Sequence, residues 1–413
     1  MSIDLIKSFV ETANNRDCDF PLNNLPFGVC FEESKKKCFS ATAIGDQVLN
    51  LTYAEELGLI PDLGFKHVLL NCFMSKGSIS RKEIREILQD LLAEDSKKIS
   101  EVQRCLSPLN NCYNSKAFEI SEYTDFYSCK NHALNASKII RGENAELSKN
   151  WYTLPVAYNG RASSVVISDS DIRRPTGQIY EQTNGIVKFE PTEKLDFELE
   201  MGTVIGGSLP IGETLDFEGA ENLIFGYVLL NDWSARDIQA WEYQPLGPFL
   251  SKSFGTSISP WIVSPEALEP FKTTPPERDF QLLPHFEDDK AFVFDIDLTV
   301  TLIEDGGMET DIVETNAKEL YYSPVQQLIH HASAGCGMST GDLMGSGTIS
   351  GTKKGSFGCM LELSWGGREK IALSSGEKRD FLQDNDTVVL NGTASAEKFK
   401  IGFSSCSGRI IKQ

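Results

Sequence analysis

The sequence predicts a mainly β protein of the α+β class, built as two domains. Three observations carry that reading. Strand-like alternation recurs at Leu195–Met201, Phe294–Leu302 and Gly358–Trp365. Glycine becomes frequent after about residue 119, which favours a β-roll or sandwich-like domain over a doubly wound sheet. The 413 residues also exceed one ordinary domain, at about 150 residues each. A β-rich domain with a helical tail is expected over 1–118, and a second domain, which gathers the reactive residue types, over 119–413.

The elements follow in order. The first twenty residues alternate apolar and charged positions and lack the apolar core of a signal peptide. Phe27, Val29 and Phe31 alternate as a strand, a turn is expected at Lys35–Lys37, and Ile44, Val48, Leu49 and Leu51 continue the β pattern. Ser80 with Glu83 reads as a capping box that opens a helix. Ile84, Ile87, Leu88 and Leu91 fall on one face of it. The apolar stretch Leu223–Leu230 fits a buried strand. Pro265–Pro284 holds five of the 17 prolines and reads as an exposed excursion, and Asn316–Ala334 as a helix.

Composition excludes several classes of function. The 59 acidic and 39 basic side chains give a formal charge of -20, the wrong sign for neutralising phosphates, so no nucleic-acid partner is expected. No run approaches the ~20 apolar residues of a membrane helix. The ten cysteines show no CxxC pair, which points away from a disulfide framework or zinc ribbon and towards a reducing, cytoplasmic compartment.

Four stretches gather chemistry. In Asp196-Phe-Glu-Leu-Glu200 a strand would put Asp196, Glu198 and Glu200 on one face and Leu195, Phe197, Leu199 and Met201 on the other. Two carboxylates ~5 Å apart repel by roughly 3 kcal/mol at an effective dielectric of 20, a cost that a cation, a shared proton or open water removes. Asp295 and Asp297 share the spacing, but their row continues as Thr299 and Thr301, as on a solvated face. The second stretch runs from Tyr123 to Arg141 and holds Asp125, Tyr127, His132 and Arg141; it reads as a polar loop or as a source of ligand, contact and base. The third begins at Asn231-Asp232-Trp-Ser-Ala-Arg236 and runs through Gln239 and Tyr243 to Lys252 and Thr256, with polar groups dense after an apolar strand. The fourth is Glu362 between Leu361 and Leu363, a lone acid on a strand that either orients an imidazole or faces outward.

Other signals fail. The GxSxG match at Gly337–Gly341 follows a helix and reads as a turn. Adjacent His330 and His331 diverge by ~100° on a helix and cannot share a metal. Cys129 and His132 lack a second Cys/His cluster to complete a zinc site.

Taken together, Tyr-Thr-Asp125-Phe-Tyr127, Tyr158-Asn-Gly-Arg161, Glu198-Leu-Glu200, Asn-Asp232-Trp-Ser-Ala-Arg236-Asp-Ile-Gln239, Lys252-Ser-Phe-Gly-Thr256 and Gly345-Ser-Gly-Thr348-Ile-Ser-Gly resemble the fumarylacetoacetase family. The resemblance covers nearly the whole chain, including Asp46 in Ala-Ile-Gly-Asp. It implies an SH3-like β-barrel at the amino terminus, a mixed β-roll catalytic domain and a homodimer. It also implies hydrolysis of 4-fumarylacetoacetate, a small β-diketo acid, to fumarate and acetoacetate, the last step of tyrosine and phenylalanine degradation. By the same resemblance Asp125, Glu198, Glu200 and Asp232 hold Ca²⁺, and Asp232, Lys252 and Thr256 lie at a Mg²⁺ site. His132 is the base held by Glu362, and Arg236, Gln239 and Lys252 form the oxyanion hole. Tyr127, Arg141, Tyr158, Gln239, Tyr243 and Thr348 contact substrate. Asn159 departs from the pattern, which expects His. Two rivals are another metal-dependent enzyme of the superfamily, such as an acylpyruvate hydrolase or an oxo-acid decarboxylase or hydratase, and a non-catalytic scaffold.

Overall fold

The computed structural model describes residues 4–33 and 36–413, so Lys35 of the expected turn lies outside the described residues. Strands dominate, and most helices are short. The amino-terminal sheet is antiparallel, in the order Leu106–Pro108, Gln47–Asn50, Lys37–Ile44, Phe27–Glu32 and Cys112–Ser115. Phe27 and Val29 are buried as their alternation predicts, but Gly28 and Cys30 are buried too. The reason is tertiary. Phe27 and Ile262 exchange backbone hydrogen bonds of 2.9 and 2.8 Å. A Cβ on Gly28 would sit 2.6 Å from the Trp261 ring, so only glycine permits this approach. Asp46 is exposed in a turn, where its carboxylate accepts from the Thr12 hydroxyl.

The predicted helix spans Gly77–Leu92, starting three residues before Ser80 and without a side-chain cap, so the capping box is not used. Ile84, Leu88 and Leu91 are buried and Ile87 is half-buried. The buried face starts earlier than the apolar pattern because it includes two arginines. Arg81 pairs with Glu266 at 2.8 Å across to the larger domain. Arg85 donates to the carbonyls of Asn23 and Asn24.

The larger domain holds a seven-stranded mixed sheet in the order Ala157–Asn159, Tyr123–Phe126, Leu343–Gly345, Leu199–Ile205, Ile224–Asp232, Thr256–Ile258 and Val165–Ile167. All nine residues of Ile224–Asp232 are buried, as the apolar stretch predicted. A second sheet includes Glu309–Asn316, Asp297–Ile303, Thr387–Ser395 and Cys406–Ile411. Leu229 and Met201 of the first sheet share one core with Leu298, Val300 and Leu390 of the second. Asp295 and Asp297 both accept from the Asn316 amide at the exposed edge, confirming that pair as structural.

Three expectations are corrected. Asn316 ends a strand, and the helix spans only Pro324–Ala332, opened by a capping box between Ser323 and Gln326. The proline-rich excursion is packed at its start, where Glu266, Ala267, Leu268 and Phe271 are buried. Gly358–Trp365 is not a strand, because Met360–Leu363 forms a short helix. Its first turn is held from outside: the carboxylate of Asp196 accepts the backbone N–H groups of Met360 and Leu361 at 2.6 and 2.9 Å.

Candidate active site

Strand ends converge at the centre of the seven-stranded sheet. Asp125 lies on Tyr123–Phe126, Glu200 on Leu199–Ile205, and Asp232 ends Ile224–Asp232. Glu198 lies in the break just before Leu199. These four buried side chains place carboxylate oxygens within 4.8 Å of one another. Their approach needs Gly345 on the adjoining strand, since a Cβ there would lie 2.7 Å from Asp125 Oδ1 and 2.8 Å from Glu200 Oε2. The Gly347 N–H donates to Glu200 at 2.9 Å. Asp125 Oδ1 and Glu200 Oε1 are buried with no hydrogen-bond partner.

Burial, followed by repulsion from neighbouring carboxylates, pushes both Asp125 and Glu200 well above the ordinary carboxylate range. A hard divalent cation removes both penalties, and an all-carboxylate donor set suits one. The four side chains therefore fit a metal ion. Asp196 does not join them, contrary to the single acidic row expected. The strand breaks between Asp196 and Leu199, and Asp196 pairs with Arg236 at 2.7 Å.

Two buried cations balance part of the negative charge. Lys252 Nζ donates to Glu198, and to Asp232 at 2.7 Å. Arg236 Nη2 lies 2.7 Å from Glu198 Oε1, while its Nη1 donates to Gln239 Oε1 at 3.1 Å. Burial alone would lower the Lys252 ammonium pKa, but Asp232 and Glu198 reverse that and leave it raised. Its side chain is thus a counter-charge to Asp232 and Glu198. Asp232 accepts from Thr256 Oγ1 at 3.3 Å and from the Tyr158 hydroxyl at 2.8 Å.

Beside this cluster, His132 Nδ1 lies 2.6 Å from Glu362 Oε2. His132 stands on the helix Lys130–Arg141, so the stretch read as a loop is a strand, a short link and a helix. Glu362 also accepts from Asn135 at 2.8 Å, Ser350 at 2.7 Å and the Cys359 thiol at 3.2 Å. Burial alone would raise this carboxyl, and His132, Asn135 and Ser350 outweigh it and hold it below its ordinary value. The Tyr127 ring meets the His132 ring edge-on, with centroids 5.3 Å apart.

The model of the fumarylacetoacetate hydrolase carboxy-terminal domain matches residues 122–407, and that of the fumarylacetoacetase amino-terminal domain matches residues 23–115. The chain belongs to the fumarylacetoacetase family. It is 43% identical to the fumarylacetoacetase of Bos taurus over 414 residues, covering 98% of each chain. Against that of Homo sapiens the identity is 42% over 415 residues, again with 98% of each covered. Against that of Arabidopsis thaliana it is 41% over 426 residues, covering 98% of this chain and 99% of the relative. In fold it is similar to a fumarylacetoacetate hydrolase from psychrophilic Exiguobacterium antarcticum, with TM-score 0.54, 15% identity, and 94% of this chain and 100% of the other covered.

Some residues implied by the family resemblance stand apart from this centre. Arg141 ends its helix exposed, and its guanidinium donates to Ser137 Oγ at 2.8 Å and the Glu146 carbonyl at 2.9 Å. No contact joins it to Tyr127 among the described residues. The Tyr243 hydroxyl accepts from its neighbour Gln244. Thr348 is buried with a hydroxyl that lacks a partner, so it can receive a ligand group. Asn159 is exposed on an outer strand, paired with Thr124. The sequence reading missed Asn135 and Ser350. Asn135 sits three residues after His132, a spacing that shows a shared face only once the stretch is known to be helical.

Proposed function

We propose that this chain hydrolyses the carbon–carbon bond of 4-fumarylacetoacetate to give fumarate and acetoacetate, the closing step of tyrosine and phenylalanine degradation. The observation that carries the reading is the buried His132–Glu362 pair beside four convergent carboxylates, in a chain similar to fumarylacetoacetases along its length.

With Nδ1 engaged by Glu362, the remaining His132 nitrogen, Nε2, takes a proton from water. The water oxygen bonds to the carbonyl carbon of the fumaryl group, which becomes the second carboxylate of fumarate. The bond from that carbon to the next methylene then breaks, and its electron pair leaves on acetoacetate as an enolate. The proton held by His132 returns to the leaving carbon. Arg236 and Lys252 stabilise the oxyanion, and Gln239, whose carbonyl is turned to Arg236, donates through its amide. Arg141 and Tyr127 take the substrate carboxylate once the Arg141 side chain leaves Ser137, since a guanidinium fork matches that group.

Asp125, Glu198, Glu200 and Asp232 would hold Ca²⁺, a cation that takes about 6–8 oxygens. Asp232 and Thr256 would serve Mg²⁺, with Lys252 as a neighbouring charge or a main-chain ligand. When bound, the cation supplies Lewis-acid polarisation and a template for the diketone oxygens.

The working form we infer is a homodimer in the cytoplasm, with the domain division at residue 118. The hairpin of Thr176–Glu181 and Ile186–Pro191 supports pairing: Ile186, Val187 and Phe189 are exposed, Phe189 by 74%. The ten cysteines without a CxxC pair support a reducing compartment.

The deciding assay is loss of absorbance from fumarylacetoacetate with purified protein, with and without chelator. Absence of turnover with cation present would overturn the reading. Turnover of an acylpyruvate instead would favour the nearer rival.

A further inference from the structure

The Glu362 carboxylate is crowded with donors, and two of them do more than fill its valence. Ser350 Oγ accepts the Gly358 N–H at 2.9 Å, so its single proton is free to point at Glu362 Oε2, 2.7 Å away. The Ser350 backbone is in turn clamped to the start of the His132 helix. Its carbonyl accepts from Asn131 at 2.9 Å and from the Cys129 thiol at 3.2 Å, and its N–H donates to Cys129 Sγ at 3.3 Å. Asn135, on the same helical face as His132, donates to the other carboxylate oxygen at 2.8 Å. His132 and Asn135 thus grip Glu362 from one helix, and Ser350 closes the grip from the opposite segment.

We propose that Ser350 and Asn135 are positioning residues, which hold Glu362 ionised and aligned on His132 Nδ1 so that Nε2 keeps its lone pair for the reaction. This rests on the reading of His132 as base. Without these donors the Glu362 carboxylate would sit buried with His132 as its main partner, because Ser350, Asn135 and His132 supply three of its four hydrogen bonds. In the proposed working form the pair is a neutral imidazole and a carboxylate, with one net negative charge. Donors to Glu362 stabilise that charge, and their loss favours uptake of a proton by the pair. The charged or titratable groups around the pair are Tyr127, Cys129, Cys359, Glu198, Asp196 and Arg236. Their own side chains are kept in substitutions at 350 or 135, and Cys129 bonds only the Ser350 main chain, so a shift is assignable to the missing donor.

The test uses full-length, calcium-loaded protein with ¹⁵N-labelled histidine. The wild type is expected to show His132 protonated on Nδ1 and bare on Nε2 at neutral pH. Ser350→Ala should move the His132 titration, and the acid limb of the kcat profile, up by roughly one pH unit. It should lower kcat about tenfold near pH 7, the scale of one hydrogen bond to a charged group, with KM within about twofold. Ser350→Thr, which keeps the hydroxyl, should restore the His132 titration. Should Ser350→Ala not fold, Asn135→Ala carries the same measurements, since Asn135 is half-buried and less tightly packed. An unmoved His132 titration in the variant that folds overturns the proposal, and so does a loss confined to KM. Full activity of His132→Ala would instead overturn the base reading, while the His132 titration in Ser350→Ala would still report on positioning.

Discussion

His132 and Glu362, separated by 230 positions in sequence, meet at 2.6 Å with both side chains buried. The contact closes a helix from the start of the larger domain onto a short helix near its end. The His132 ring is hydrogen-bonded directly to Glu362, so the two are expected to act as a unit.

His132→Ala should reduce kcat by at least ~100-fold, the lower end for removal of a general base. Substrate binding should change little, because the cation site and Arg141 remain. Glu362→Gln should also lower kcat, and the double variant should be little worse than His132→Ala alone. Steady-state kinetics on the three proteins checks this. Near-normal kcat in a folded His132→Ala protein would place the base elsewhere.

Glu200→Gln should sharply weaken divalent-cation binding, because it removes one of four converging carboxylates. The variant should also need less cation for stability, since the repulsion that raises Asp125 and Glu200 is relieved. Calorimetric titration with Ca²⁺ and elemental analysis of the purified protein test the point. A wild type that binds no divalent ion would sink the metal assignment.

The domain interface should depend on Arg81 and Glu266. Their side chains are 3% and 7% exposed, and Arg81 also donates to the Ile224 carbonyl. Glu266→Ala leaves that guanidinium buried without its carboxylate, a change that costs about 3–5 kcal/mol. Urea unfolding should show a lower midpoint by the corresponding amount. A midpoint unchanged from wild type would mean that water or another acid replaces Glu266.

Asp342 should make stability fall as pH rises. Burial, opposed in part by the Ser339 N–H, pushes its carboxyl up to about 6 from its ordinary value of 3.8. Its Oδ1 is buried with no partner. The folded state binds this proton more tightly than the unfolded chain, so the contribution is fully present below pH ~4 and is lost as pH climbs through ~6. The loss amounts to about 2–3 kcal/mol. Asp342→Asn should therefore stabilise the protein at pH 7.5 and change little at pH 4. Equal effects at both values would refute the assignment.

The exposed hairpin makes the dimer testable. Light scattering at micromolar concentration should give about twice the 45.8 kDa chain mass. Phe189→Glu should shift it towards the monomer, because a charge replaces apolar surface available for pairing. A monomeric wild type would count against the homodimer.

What the sequence determined by itself was the period and the chemistry. Apolar runs such as Leu223–Leu230 read as buried strands because β-period and continuous burial leave a local mark. The row Glu198-Leu-Glu200 was legible as a possible cation site, because alternation along a strand is a local rule. Tertiary structure decided the rest. Asp196 shares that spacing, yet the chain breaks after it and sends it to Arg236 and to the first turn of Met360–Leu363. That carboxylate, 164 residues away, makes a helix of a segment whose own pattern reads as strand. Likewise Gly77–Leu92 starts ahead of the Ser80 cap that its sequence suggests, and its first turns bury Arg81 against Glu266, 185 residues away. Local pattern fixes which faces are apolar. Which polar group meets which is settled only when distant strands close, because a buried charge takes whatever partner the packing brings within reach.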